Sequence, residues 1–362
     1  MMKPYVFMFV SDIHLGAELM NVDKLSNSFN GKTNQYEGLV ADLKRIYYKE
    51  KVDQVIFLGD TLDKPLSVDS TNYTPVKDIL RDLMSEFLPS IFLKGTSSHD
   101  GIYQIPNLKR EFELENYLAD PERMCDQYEV SPYVDKITVS VIKIGRGKGR
   151  RTFHMGFIPD NMGTNKEEII ASLKKEMEIK KVNELDYLFT HVLWDFHVDP
   201  KRLESDVPVF KVSDFPFVKK HIVTGHIHQH QIRDKLIVCG SCTRTRYEEE
   251  DEKGVVIVKD YGDKTEVIRI PLKPLYQTYV FYPTEPLEDI KNKILSSPEY
   301  TPDDILTFPI PRLENISYLP VMSDIFELVL SLIEKGYKAC TPYISKHLLN
   351  DDLLKLYQDK VI

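Results

Sequence analysis

Five short segments carry the residue types that hold divalent metal ions: Ser11-Asp12-Ile13-His14, Leu58-Gly59-Asp60, Ser98-His99-Asp100, Thr190-His191 and Gly225-His226-Ile227-His228. Aspartate oxygens and imidazole nitrogens suit hard-to-borderline ions such as manganese, iron or zinc. Hydrolysing a phosphate ester requires neutralised phosphate charge, an activated water and a stabilised leaving oxygen. Two ions about 3.5–4 Å apart meet all three needs. Asp12 and His14 stand two apart, as do His226 and His228, so each pair can turn into one pocket after a strand, and Gly225 permits a tight turn. Asp60 is placed to bridge two ions. Taken singly, each segment reads more simply as a capping turn or a satisfied core histidine. Five in this order point to a two-metal site.

Most of these segments follow apolar runs that read as buried strands. Residues 5–10, 54–58, 90–93, 185–190 and 222–224 are such runs, and helical spacing over 36–50 and 76–87 separates the first three. That rhythm predicts an α/β core with functional loops at strand ends. Residues 137–144 and 152–158 predict a hairpin, 166–181 a charged helix, and 236–238 and 254–259 further strands. The second half thus supplies a second sheet. The expected fold is α/β (α+β): a two-sheet β-sandwich flanked by helices, over 1–270. Prolines punctuate the chain from Pro271 on, and 271–362 reads as a small C-terminal α/β capping or partner-binding domain, ending in a helical stripe over 346–357.

The chain has 362 residues, 47 basic against 56 acidic, for a net charge of −9. That balance argues against a protein coated in nucleic acid by bulk charge, and leaves room for a local basic stripe. Its four cysteines are too few and scattered for a disulfide framework. Cys239-Gly240-Ser241-Cys242 lacks the second pair a zinc site needs and follows a strand, so it reads as structural. No run is long enough to span a bilayer, and the expectation is a soluble, cytoplasmic protein without a membrane partner.

In combination, Asp12-x-His14, Gly59-Asp60, His99-Asp100, His191 and Gly225-His226-x-His228 resemble the motif series of the calcineurin-like metallophosphoesterases. Within that superfamily, the stretch from Cys239-Gly240-Ser241 through Lys253-Gly254 to Val258 resembles the SbcD-type DNA-repair nucleases, which work with an SbcC-type ATPase and have phage-encoded relatives. The resemblance covers residues 5–260. It implies one ion held by Asp12, His14, Asp60 and His228. It implies a second held by Asp60, Ser98, His191 and His226, with His99 acting on the scissile phosphate and Asp100 orienting its imidazole. The family reads Gly-Asn-His-Asp where this chain reads Gly95-Thr96-Ser97-Ser98-His99-Asp100, so Ser98 takes the asparagine position and a weak second site is expected. The ions implied are manganese first, with magnesium, iron or zinc as alternatives.

The function expected is thus a metal-dependent DNA nuclease, exo- or endonucleolytic, acting with an SbcC-type ATPase. Two other readings stay open: a phosphomonoesterase or cyclic-nucleotide phosphodiesterase, and a non-catalytic subunit that binds DNA ends or the ATPase. Candidate DNA contacts are Lys143, Arg146, Lys148, Arg150 and Arg151 at the hairpin tip, with Arg244 and Arg246. The helix over 35–48 is a candidate face for a homodimer.

Overall fold

The structure is a computed structural model. It describes residues 3–16, 31–67, 73–101, 104–119, 133–144, 151–160, 162–163, 165–197, 207–243, 251–272, 278–281, 286–300, 302, 304–308, 310–312, 319–340 and 343–345. The chain forms two compact units.

The larger unit begins with β1 (Tyr5–Val10), α1 (Gly31–Glu50) from Tyr36 on, β2 (Gln54–Phe57), α2 (Tyr73–Glu86), β3 (Ser90–Leu93), α3 (Ser97–Asp100), α4 (Gln104–Ala119) and β4 (Tyr133–Val134). It continues with β5 (Thr138–Ile144), β6 (Arg151–Ile158), α5 (Lys166–Ile179), β7 (Leu185–Thr190), β8 (Leu193–Trp194), β9 (Val209–Phe210) and β10 (Val218–Thr224). β11 (Gln231–Arg233), β12 (Leu236–Val238), β13 (Gly254–Asp260) and β14 (Thr265–Pro271) complete it.

Two six-stranded mixed sheets result, in the orders β14-β13-β1-β2-β3-β4 and β11-β12-β10-β7-β6-β5. β1 shows why they stack. None of its positions is polar enough to face water, so both faces must be covered. Phe7 and Phe9 pack between the sheets with Phe157, Tyr187 and Phe189, while Met8 and Val10 pack under Leu43 of α1, Leu80 of α2 and Phe112 of α4. Each fully buried ring contributes about 2 kcal/mol through the area it removes from water. On the far side of the second sheet, Ile169, Leu173 and Met177 of α5 join Trp194 and Phe215. The order helix, sheet, sheet, helix is the architecture expected from the sequence.

β1 to β4 run parallel, as do β6, β7, β10 and β12. Their C-terminal ends therefore lie together, and the loops that follow them are stitched by backbone bonds. Asp12 N donates to Gly59 O at 3.2 Å, His14 N to Asp60 O at 3.0 Å, and Gly225 N to Thr190 O at 3.0 Å.

The smaller unit holds β15 (Thr278–Val280), α6 (Leu287–Ser296), β16 (Ile305–Thr307), β17 (Ile310–Arg312), α7 (Leu319–Glu334), β18 (Lys338–Cys340) and β19 (Tyr343–Ser345). β15, β16 and β18 form a parallel sheet, and β17 pairs with β19. Ile290, Ile294, Leu306, Ile325 and Leu332 share one core. The stripe expected over 346–357 lies outside the described residues.

Candidate metal centre

Two groups of three side chains meet at the strand ends. Asp12, His14 and His228 bring ligand atoms within 4.8 Å of one another, as do Asp60, His191 and His226. Each group is one carboxylate and two imidazoles. A third group, His14, Asp63 and His99, shares His14 with the first.

Local backbone geometry makes this convergence possible. Asp12, His14, Asp60 and His226 all adopt left-handed φ, at 49°, 50°, 48° and 72°. Asp and His tolerate that region better than most residues, yet each such position costs on the order of 1 kcal/mol. The left-handed turn falls on His226 and not on Gly225. Gly225 serves close approach instead, since a Cβ there would lie 2.3 Å from Leu58 O. A Cβ at Gly95 would lie 2.0 Å from Asp60 N, so only glycine lets the loop after β3 press against Asp60. Behind the loops, Thr190 Oγ1 donates to Thr224 Oγ1 at 2.9 Å and Trp194 Nε1 to the same oxygen at 3.1 Å.

The ring nitrogens have assigned tasks. His191 is fully buried, and its Nδ1 donates to Leu58 O at 2.6 Å, which aims Nε2 at Asp60 Oδ2, 3.3 Å away. A carbonyl on one ring nitrogen is the usual way a ligand histidine is oriented. His14 Nε2 and His228 Nε2 face each other at 3.2 Å, and His228 Nε2 lies 3.9 Å from Asp12 Oδ1. The His226 backbone N–H donates to both Asp12 oxygens at 3.1 Å, while its buried Nδ1 has no hydrogen-bond partner.

Burial is the largest influence on each group. It pushes His14 and His226 down to about 3 and raises Asp12. For Asp60 burial also acts upward, but the His191 imidazole more than offsets it and holds the carboxyl well below its ordinary range. Burial lowers His191 and Asp60 outweighs that, so the two form an ion pair in the absence of metal. An ion entering this group displaces that proton. Neutral imidazoles at His14 and His226, an orphaned buried ring nitrogen and one carboxylate per group fit a pair of divalent cations.

Ser98 does not join them. It is exposed on α3, and Thr96 occupies the place against Asp60 and His191 that the sequence assigned to Ser98. The two extra residues are absorbed as the single helical turn α3, so spacing from the glycine, not from the histidine, sets which side chain reaches the pocket. His99 lies over His14 with ring centroids 4.7 Å apart, and its Nδ1 is hydrogen-bonded to the Asp63 carbonyl. Asp100 does not reach that nitrogen. Its oxygens accept the N–H groups of Leu62 at 3.0 Å and Gly95 at 2.7 Å, and burial, aided by Asp60, raises its carboxyl to about 6. Asp100 fixes the loops, and Asp63 fixes His99. Asp63 and Thr96 escaped the sequence reading. The available signal for Thr96 was a hydroxyl directly after Gly95, and a backbone carbonyl such as that of Asp63 offered none.

The Cys239–Cys242 segment braces the same loops. Ser241 N donates to His228 O at 2.9 Å, Cys242 N to Ser11 O at 3.0 Å, and Thr243 Oγ1 to Ile13 O at 2.8 Å. The two thiols point into different core layers, and burial raises both, Cys242 to about 12. Of the basic hairpin, Lys143 is exposed, whereas Arg151 is engaged: its guanidinium donates to Asp260 O at 2.7 Å and Lys3 O at 2.6 Å. Both lie away from the metal groups, because Ile158, at the other end of β6, is the residue that pairs beside Thr190. Arg146, Lys148, Arg150, Arg244 and Arg246 lie outside the described residues. No helix among the described residues is long and apolar enough to cross a membrane.

The chain is similar in structure to GAP50, the anchor in the inner membrane complex of Plasmodium, with 12% identity over 76% of this chain and 87% of that one and a TM-score of 0.44. It is similar to a phosphatase from Mycoplasma pneumoniae, with 13% identity, 76% and 96% coverage and a TM-score of 0.38. For the E. coli phosphoesterase Yfce the values are 11%, 74% and 100%, and 0.28. No curated protein matches the chain. The calcineurin-like phosphoesterase profile matches residues 5–230, the span that holds every residue of the two metal groups, and the chain belongs to that family.

Proposed function

We propose that the protein is a metal-dependent nuclease of the SbcD type, hydrolysing DNA phosphodiester bonds alongside an SbcC-type ATPase subunit. The observation that carries phosphoester hydrolysis is the pairing of two Asp-His-His groups with His99 at their edge. Support for DNA as substrate comes from the segment from Cys239-Gly240-Ser241 to Lys253-Gly254, which resembles that of SbcD-type nucleases and braces the loops of His14 and His228.

Asp12, His14 and His228 would hold one divalent ion and Asp60, His191 and His226 the other, with manganese as the expected metal. Bound ions of this kind neutralise phosphate charge and lower the pKa of a water. The chain supplies the rest. The Asp63 carbonyl holds the Nδ1 proton of His99, so Nε2 is the exchangeable nitrogen, and in the imidazolium form it would give its proton to the leaving oxygen. Asp100 and Gly95 keep the His99 turn pressed to Asp60.

The test is cleavage of end-labelled double- and single-stranded DNA in manganese and in magnesium, by the natural protein and by His99→Ala. Manganese-dependent cleavage, reduced about a hundredfold or more in the variant, supports the reading. Intact DNA in every arm, with the ATPase present, together with rapid turnover of a small phosphate ester, would shift the assignment to the second reading, a small-ester phosphatase, which the net charge of −9 favours.

A further inference from the structure

Thr96 stands against the Asp60–His191–His226 group. Its Oγ1 lies 3.2 Å from Asp60 Oδ2 and 3.4 Å from His191 Nε2. Thr96 is also the N-cap of α3, where a threonine hydroxyl ordinarily accepts an N–H from the first turn. It makes no such bond, and its oxygen is turned toward the carboxylate and imidazole instead. Meanwhile the Thr96 carbonyl accepts from His99 N and Asp100 N, both at 2.9 Å. One helical turn thus fixes Thr96 and His99 with respect to each other.

We propose that the Thr96 hydroxyl is the fourth protein ligand of the ion held by Asp60, His191 and His226, and that α3 exists to place it. This rests on the two-ion reading above. The proton of Oγ1 is directed to Asp60 Oδ2, which leaves its lone pairs for a cation on the His191 side. A positioning role for the hydroxyl is redundant, because the Thr96 backbone N–H already holds Asp60 Oδ1 at 2.6 Å. Being neutral, the hydroxyl adds an oxygen without adding charge, a set that suits manganese or magnesium better than a sulfur-seeking ion.

The experiment is binding of manganese alone, by equilibrium dialysis and calorimetry, to the natural protein, Thr96→Val, Thr96→Ser, Thr96→Asn and Ser98→Ala. Two ions per natural chain are expected. Thr96→Val, which keeps the shape and loses the oxygen, should weaken one of the two sites by about tenfold or more and leave the other unchanged. Thr96→Ser and Thr96→Asn, which each offer an oxygen from the same backbone position, should restore it, and Ser98→Ala should bind as the natural protein does. Unchanged affinities in Thr96→Val, or a loss in Ser98→Ala, overturn the proposal. So does equal weakness in Thr96→Val, Thr96→Ser and Thr96→Asn, which would report a damaged loop in place of a lost ligand. A natural chain that binds fewer than two ions overturns the two-ion reading itself.

Discussion

The sandwich buries charge at both ends of its strands, and the two ends handle it differently. Tyr5, at the start of β1, pairs with Asp260, while Val10, at its end, leads into Asp12. At the first end Asp260 accepts the Tyr187 hydroxyl at 2.5 Å, the Lys220 ammonium at 2.7 Å and the Gly262 N–H at 2.7 Å. The carboxylate there has an ammonium built in beside it. At the second end Asp12, Asp60 and Asp100 lie buried among histidines, and Asp12, His14, Asp60 and His226 hold left-handed backbone. Burying charge is expensive at either end. The closed cluster offsets that cost within the fold, whereas the open one leaves it for a bound cation to offset. A buried carboxylate by itself therefore marks nothing, and the telling feature is whether a fixed ammonium is built in beside it.

Substitutions at the two ends should separate function from stability. Asp60→Asn removes the sole carboxylate of its group, and manganese binding to that group should fall by at least about a hundredfold, read as the loss of one ion per chain in dialysis. Asp260→Ala should keep both ions and lose about 3 kcal/mol of unfolding free energy in a urea titration, because Lys220 and Tyr187 are left without their acceptor. The reverse pattern, stability lost with Asp60 and metal lost with Asp260, would break the comparison. A smaller effect sharpens it. Manganese at a hundred times its Kd should add about 2.7 kcal/mol per ion, raising the Tm by about 5 °C or more. The rise should be equal in Asp260→Ala and reduced in Asp60→Asn.

How much of this was visible in the sequence follows from the range of the interactions. The runs that became β1, β2, β3 and β7 are mostly apolar and announce themselves, and Asp12, Asp60 and His191 follow β1, β2 and β7 within three residues. β14 escaped because Thr265–Pro271 is half-buried, and its strand identity comes from pairing with β13. α4 escaped because Pro106 stands in its first turn, where proline is tolerated although it reads as a breaker. In the site, the six Asp and His residues that converge in two groups could be picked out by type and order. Ser98 could not be separated from Thr96 in that way, since the choice depends on α3 forming as a turn capped by the Thr96 carbonyl. The orienting partners, Leu58 O for His191 and Asp63 O for His99, are backbone groups and leave no mark in a sequence.

The smallest expected effect tests whether the closed end is closed to protons as well. His221, on β10, has its Nε2 2.7 Å from Thr265 Oγ1, with the Tyr187 ring beside it and Lys220 and Asp260 as its charged neighbours. Burial is the largest influence and lowers its pKa, the Lys235 backbone and the Asp260 carboxylate oppose that, and Lys220 adds to it. The folded protein therefore keeps His221 neutral at a pH where the unfolded chain, with a pKa of about 6.5, takes up a proton. The contribution of neutral His221 is present above that pH and is lost as pH falls below it. Between about pH 7.5 and 5.5 the natural protein should lose more unfolding free energy than His221→Gln does, by under ~1 kcal/mol, since the metal-site histidines titrate alike in both and cancel in the difference. Equal losses in the two proteins would mean that His221 accepts a proton freely in the fold. The far end would then take up positive charge as readily as the open end, and its built-in ammonium would no longer set it apart.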